Sequence, residues 1–236
     1  KGPSLKNPIL VATDEGFSWG ALVSLKGQTM WVVDSETTSL GDKEISDFAV
    51  SADLSRFAYV RDDVVVLDGK QVDRGQTSCC PVFSQNGSVF GYIADGSFVV
   101  LEGVAQGSQG NTVSQLTLSS DGSRHAYIVG GDTVVVDGKK QKRYDSVSTL
   151  TFSSEASRFA YIANDGVLVL DGEENEIGET TAGQITFSPD GSRLAYVTGE
   201  LKLGKVALDE KELQRYSFGC PKVFLSWSCL TFTSDG

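Results

Sequence analysis

Several residue types are scarce in this chain, and their scarcity excludes some kinds of site. There is one histidine, His125, and there are four cysteines, Cys79, Cys80, Cys220 and Cys229. The cysteines lack the paired C-x-x-C spacing of a zinc cluster, so we expect no structural zinc site. Cys220 and Cys229 could close a short disulfide loop or remain buried thiols, so cysteine usage does not define the redox compartment.

Positive charge and long apolar runs are also in deficit. The formal net charge is −11, and an acidic surface repels phosphate backbones, so we expect no nucleic-acid partner. Solubility is the simplest reason for the acidity, and a basic partner is the alternative. No apolar run approaches the roughly 20 residues that cross a bilayer, so we expect no membrane span. The first residues lack a signal-peptide layout, which fits either a cytoplasmic chain or the processed end of a mature one.

What the chain does have is abundant glycine and a recurring pattern of eleven residues. Residues 187–197 read FSPDGSRLAYV: an apolar pair, a tight turn on Asp190 and Gly191, and a second apolar segment. This is the pattern of a β-hairpin. Similar segments begin at Val50, Val82, Leu118 and Phe152.

The repeat has a regular period. The serine of the apolar-serine pair recurs every 33 to 35 residues, at Ser18, Ser51, Ser84, Ser119, Ser153 and Ser188. A second turn signal, such as Asp137-Gly138, follows a β-branched run in most units. Each unit therefore predicts four short strands, which we call a, b, c and d in chain order. Four strands in about 34 residues are typical of one β-propeller blade, so we predict an all-β propeller of four-stranded antiparallel blades.

The spacing also predicts how the blades divide the chain. Six repeats cover approximately residues 16–49, 50–82, 83–117, 118–151, 152–186 and 187–219. Residues 220–236 and 1–15 together are close to one more unit, with residues 8–13 as its outer strand. We expect a single domain, residues 1–236, with seven blades and the ring closed by both termini. Six blades, or a fragment of a longer chain, are the alternatives.

The segment FSPDGSRLAYV, followed by runs such as VVVDGK, resembles the WD-like repeat of bacterial TolB-type β-propellers. This resemblance covers nearly the whole chain. It implies an interaction scaffold rather than a catalyst, and a periplasmic or secreted location rather than a cytoplasmic one.

Acidic residues recur in two kinds of loop. Those of the a–b turns, Asp53, Asp121 and Asp190, are expected to stabilise tight turns rather than bind metal. The b–c loops lie on the opposite face of a propeller, together with the variable d–a connections where specificity usually resides. We predict a partner-binding face there, with hairpin composition as the alternative explanation. Its candidate residues are Asp62, Asp63, Asp95, Asp132, Asp165 and Glu200, with Arg74 and Gln76 from a d–a connection.

The functional prediction is a non-catalytic scaffold that binds a protein or a peptide, basic ones included, as a monomer or as part of a larger assembly. We predict no catalytic residues, no metal ligands and no cofactor. The alternatives are a propeller enzyme with a divalent metal such as calcium in its channel, and glycan or small-ligand binding in the central pocket. Inner strand a presents Ser and Thr rather than acids, which disfavours the enzyme. His125 is expected in a buried, hydrogen-bonded position, and Trp19 and Trp227 are expected to pack or to serve as aromatic anchors.

Overall fold

The computed structural model describes residues 4–13, 16–72, 78–107, 111–178, 185–200, 203–209 and 211–216. Over these ranges the chain forms strands, turns and loops, and none of the described residues is helical. It follows that no described segment is a helix able to span a membrane. The strands form six antiparallel sheets, each with four strands side by side in chain order. The all-β prediction is confirmed, and the six sheets are consistent with a propeller-like arrangement.

The first of two compact units, Lys1–Gln109, contains three sheets. Sheet 1 comprises β1 (Ser4–Thr13), β2 (Gly16–Leu25), β3 (Gln28–Val33) and β4 (Glu36–Gly41). Sheet 2 comprises β5 (Phe48–Val50), β6 (Phe57–Arg61), β7 (Val64–Leu67) and β8 (Lys70–Gln71). Sheet 3 comprises β9 (Ser78–Phe83), β10 (Phe90–Ala94), β11 (Phe98–Leu101) and β12 (Val104–Gly107).

The second unit, Gly110–Gly236, contains the other three described sheets. Sheet 4 comprises β13 (Val113–Leu118), β14 (His125–Val129), β15 (Thr133–Val136) and β16 (Lys139–Arg143). Sheet 5 comprises β17 (Val147–Phe152), β18 (Phe159–Ala163), β19 (Val167–Leu170) and β20 (Glu173–Glu176). Sheet 6 comprises β21 (Ile185–Phe187), β22 (Leu194–Glu200), β23 (Leu203–Leu208) and β24 (Lys211–Tyr216).

The start of the chain differs from the prediction. Residues 8–13 were expected to be the outer strand of a closing blade, but they belong to β1, which pairs with β2 from Ser4↔Ser24 to Thr13↔Gly16. Only two residues separate β1 from β2, and such a hairpin closes at a small entropic cost. Ser18 consequently lies within strand b of sheet 1, not at the a–b turn where the other repeat serines lie. The remainder of the predicted closing blade, residues 220–236, lies outside the described residues.

Strands b and c form the buried centre of each sheet. All five residues of β10 and of β18 are buried, because both faces of these strands are covered by other protein atoms. Strand c consists largely of Val and Leu, which suit a pleated strand covered on both faces. Outer strand d is mostly exposed, as in Lys139–Arg143 and Glu173–Glu176.

Within each unit the sheets pack face to face through complementary surfaces. Sheet 4 contributes small and β-branched residues, including Ala126 and Ile128, which pack against Phe159 and Tyr161 of sheet 5. The same arrangement joins sheet 2 to sheet 3, sheet 1 to sheet 2, and sheet 5 to sheet 6. Each buried Val, Ile or Leu stabilises this stack by about 1.5–3 kcal/mol. The alternation of a small residue with Tyr along strand b therefore gives each sheet two different faces.

Candidate functional site

The c–d turns use their acidic residue to hold strand b. In all six described sheets, one backbone N–H of strand b donates a hydrogen bond to the carboxylate of the c–d turn, at 2.5 to 2.9 Å. These carboxylates belong to Asp34, Asp68, Glu102, Asp137, Asp171 and Asp209. Both turn residues of a pair such as Asp137-Gly138 have positive φ, as a type I′ turn requires. The repeated acids of this turn are structural.

An arginine in the S-R part of the repeat links successive sheets, a role that sequence reasoning missed. Arg158 Nε donates to Asp171 at 2.9 Å within sheet 5. Its Nη1 donates to the carbonyls of Gly191 and Ser192 in sheet 6, and its Cζ lies 5.6 Å from the ring centre of Phe187. Arg56 and Arg124 make corresponding contacts. The signal that could have revealed it is the arginine five residues after the repeat serine in four copies.

The a–b turns form closed hydrogen-bond networks around a buried serine. The Ser119 hydroxyl donates to Asp121 Oδ1 at 2.7 Å and accepts from the Arg124 N–H at 2.9 Å. Asp121 also accepts from the N–H and hydroxyl of Ser123. The hydrogen bond from Ser119 is the main cause that lowers the pKa of Asp121 to about 2, and Asp190 shows the same shift for the same reason. The expectation that these acids stabilise turns agrees with this geometry.

The b–c loop acids occupy turns in both units. Asp62, Asp63, Asp95 and Asp165 all have positive φ in their hairpins. The Asp62 carboxylate accepts from Lys43 Nζ. Glu200 is the last residue of β22, and its side chain is not among those described. Arg74 and Gln76 lie outside the described residues. The partner-binding role of this group stays a prediction.

Asp132 is a predicted residue that the structure places in a cleft. Its carboxylate accepts from Arg143 Nε at 2.8 Å and from the Thr133 hydroxyl at 2.7 Å. The hydrogen bond from Thr133, and then that from Arg143, lowers the pKa of Asp132. This ion pair connects the b–c loop of sheet 4 to the end of its outer strand β16.

One side of the cleft is the end of β16 in sheet 4, and the other is formed by the b–c loop, β19 and outer strand β20 of sheet 5. The cleft has a volume of about 530 Å³. It is open to solvent and carries both signs of charge. The lining residues are Asp132, Lys142, Arg143, Tyr144, Asp145, Asn164, Val167 and Glu174. All of them belong to the second unit, so the site is complete within sheets 4 and 5.

A second hydrogen-bonded group, formed by Glu174, Lys142 and Tyr144, also lines this cleft. Glu174 Oε1 accepts from Lys142 Nζ at 2.6 Å and from the Tyr144 hydroxyl at 2.7 Å. The hydrogen bond from Lys142, followed by that from Tyr144, lowers the pKa of Glu174. Burial, and then the hydrogen bond to Glu174, raises the pKa of Tyr144. Tyr144 therefore stays protonated and donates to an ionised Glu174 across the physiological range.

Asn164 fixes the floor of the cleft. Its side-chain oxygen accepts from the backbone N–H of Asp145 at 2.9 Å, and its own φ is 50°. Asn tolerates this backbone region better than most residues. This hydrogen bond connects the d–a connection after sheet 4 to the b–c loop of sheet 5.

The outer strands on either side of the cleft carry opposite charge. Strand β16 reads KKQKR and strand β20 reads EENE. The Lys142–Glu174 ion pair joins them. The basic strand β16 therefore contacts an acidic neighbouring strand. Exposed ion pairs of this kind contribute little stability, so they can be exchanged for pairs with another molecule at small cost.

His125 occupies strand b as predicted, but without the expected hydrogen bonding. Its side chain is 17% exposed, and its Nε2 has no hydrogen-bond partner in the described structure. Burial lowers the pKa of His125, and the Asp137 charge 3.8 Å from Nδ1 opposes this only in part. The ring stacks on Tyr127. His125 is a packing residue that lowers the stability of the fold, since a buried nitrogen without a partner costs free energy.

Trp19 lies within a short motif that sequence reasoning missed. The Trp19 side chain is 41% exposed, and Trp227 lies outside the described residues. Residues 16–20 read GFSWG, which matches the G-x-S-x-G pattern of nucleophile elbows. Such an elbow requires a strand-to-helix turn, whereas Ser18 lies inside β2 and pairs with Val11. The match therefore lacks the context in which this motif acts.

No protein-family model matches the sequence, and no curated protein is detectably similar to it. Among the described residues, no group of three or more His, Cys, Asp or Glu side chains is arranged to hold a metal ion.

Proposed function

We propose that the six sheets are blades of a β-propeller and that the protein is an interaction module. Support for the propeller comes from six successive four-stranded sheets and from their face-to-face packing within each unit. Residues 4–13 already belong to sheet 1, so they do not contribute to the closing blade predicted from residues 220–236 and 1–15. The resemblance to TolB-type repeats favours the same architecture.

The binding site that we propose is the cleft between sheets 4 and 5, and its occupant is an extended protein segment carrying Lys or Arg. The observation that carries this proposal is the pair of ionised carboxylates, Asp132 from sheet 4 and Glu174 from sheet 5, that line one open cleft. Each carboxylate is already ionised and bonded to an exposed cation of the same chain. A partner cation can replace Arg143 or Lys142 without any new charge being buried.

The surroundings of the cleft favour a cationic segment over an anionic one. The lining has three acids, Asp132, Asp145 and Glu174, against two bases. The whole chain has a formal net charge of −11, so its field attracts cations over long distances. Tyr144, held by Glu174, offers a ring surface against which an apolar or cationic side chain can pack.

The proposal can be tested with an array of short peptides of varied charge. Peptides that bind the wild-type protein are measured again with Glu174→Gln and with Asp132→Asn. Glu173→Gln is the matched control, because it makes the same change on the same exposed strand without lining the cleft. We expect basic peptides to bind, with affinity about tenfold lower for the two cleft variants and unchanged for the control.

Two results would contradict this function. One is that no basic peptide binds the wild-type protein at low salt. The other is that all three variants bind equally well, which would show that only the net charge matters. Binding that weakens as salt rises, and weakens less in the cleft variants, would further support direct pairing with the carboxylates.

A further inference from the structure

Cys79 and Cys80 are adjacent in β9 and form a disulfide. Consecutive side chains of a regular strand point to opposite faces, so neighbouring cysteines in such a strand cannot approach each other. Here the pairing of β9 with β10 is irregular between Gly91 and Ile93, and Cys80 has a φ of 62°. Cys79 is half-buried and Cys80 is exposed, so solvent reaches the pair.

The bulge that brings the two sulfurs together does not depend on the disulfide. Sheets 4 and 5 have the same irregularity at the same position of strand a, four residues before the repeat serine. The residues there are Gln115, with a φ of 50°, and Thr149, with a φ of 56°. Neither sheet has a cysteine at this position, yet the backbone is the same. Reduction of Cys79–Cys80 should therefore leave the bulge, and both sulfurs, on the same side.

We propose that the reduced pair is a preorganised two-sulfur site for a single thiophilic centre, of which trivalent arsenic is the model. The disulfide first accepts two electrons from a phosphine and two protons from a water molecule, and the oxygen of that water converts the phosphine to its oxide. Each thiol then forms a bond to arsenic, and a monosubstituted arsenic oxide loses its oxygen as water. No other oxidant or reductant is required, and the site is independent of the cleft of sheets 4 and 5.

The experiment uses the full chain with Cys220→Ser and Cys229→Ser, so that only the adjacent pair remains. The protein is first reduced with a phosphine. The phosphine is then removed in the absence of oxygen, and the reduced protein is titrated with phenylarsine oxide. We expect one arsenical to bind per chain. Both thiols should become unreactive toward a thiol-reactive dye at the same time as the arsenical binds. Because the folded bulge preorganises the sulfurs, we expect affinity at least about tenfold higher than in denaturant. Circular dichroism verifies that the reduced protein keeps its strand content.

The control moves the pair to a regular part of a strand, since the irregular pairing of β16 with β15 lies between Lys140 and Arg143. Lys139→Cys with Lys140→Cys, in a chain where Cys79 and Cys80 are serine, places adjacent thiols on exposed strand β16. These side chains alternate, so this control should bind the arsenical more weakly when folded than the native pair does. Equal affinity of the two pairs, or separate reaction of the Cys79 and Cys80 thiols, would overturn the proposal.

Discussion

Ser119→Ala and Ser153→Ala form a matched pair that tests whether the a–b turn acid stabilises the repeat. Both serines are fully buried, and each accepts the N–H of the arginine five residues later, at 2.9 Å and 3.0 Å. Only Ser119 also donates to a turn aspartate, Asp121. Glu155 and Ala156 replace the Asp-Gly pair in the turn that follows Ser153.

The shared loss sets a baseline for both variants. Removing the hydroxyl leaves the arginine N–H without its side-chain acceptor, which should lower the free energy of unfolding by about 1–2 kcal/mol. Ser119→Ala should cost more than Ser153→Ala at neutral pH, because it also removes the main hydrogen bond to the ionised Asp121 carboxylate. Urea unfolding, monitored by circular dichroism, measures both values.

The pH dependence separates this explanation from a simple packing defect. The pKa of Asp121 is lowered to about 2 in the folded protein, against 3.8 as its ordinary value. A depressed pKa gives stability that is fully present above the ordinary value and is lost as the pH falls through about 2. In Ser119→Ala the pKa of Asp121 should rise toward its ordinary value. The extra cost of this variant should therefore shrink between about pH 4 and pH 2.

For Ser153→Ala, the loss of unfolding free energy relative to the wild-type protein should not shrink in this way as the pH falls. The reasoning would be refuted if the two variants were equally destabilised at neutral pH, or if their difference did not change on acidification. A carboxyl NMR titration of Asp121 in the wild-type protein and in Ser119→Ala provides a direct check of the pKa change.

Three further substitutions test other parts of the fold, each by urea unfolding. Leu54→Gly should lower the free energy of unfolding by about 1–4 kcal/mol, because Leu54 is 4% exposed and packs among Leu22 and Trp31. We expect this loss although glycine suits the φ of 60° at this position. A gain in stability would contradict the packing role of Leu54. His125→Phe should stabilise by about 1 kcal/mol, since it removes a buried nitrogen without a partner, and a clear loss would show that the nitrogen has an unseen partner. Arg158→Lys should cost about 1–2 kcal/mol, because lysine cannot bond Asp171 and the carbonyls of sheet 6 together; unchanged stability would refute the linking role.

Much of the architecture was predictable because it depends on local chemistry. The alternation along strand b, the β-branched runs of strand c and the Asp-Gly turns are short-range signals, and they correctly predicted four-stranded sheets in chain order. The phase of sheet 1 was not predictable in this way. Ser18 resembles the repeat serines by spacing, but pairing with β1 places it inside strand b, and pairing is a long-range property.

The candidate site was predictable only in part. Asp132 was identified from its loop, whereas Lys142, Tyr144 and Glu174 were not predicted as site residues. These residues meet because sheet 5 stacks on sheet 4, which brings residues about 30 positions apart within hydrogen-bond distance. Local sequence patterns span only a few residues, so they do not indicate contacts between residues so far apart in the chain.

The amino-acid sequence by itself determined the repeat, the strand type and the turn chemistry, since each depends on residues within a few positions of one another. The tertiary structure alone decided which charges pair across sheets, that Leu54 fills the core of a neighbouring sheet from a turn, and that Cys79 and Cys80 lie on one side of their strand. These outcomes depend on sheet stacking and on one bulge in strand a, and both are set by contacts between segments that are distant in the chain.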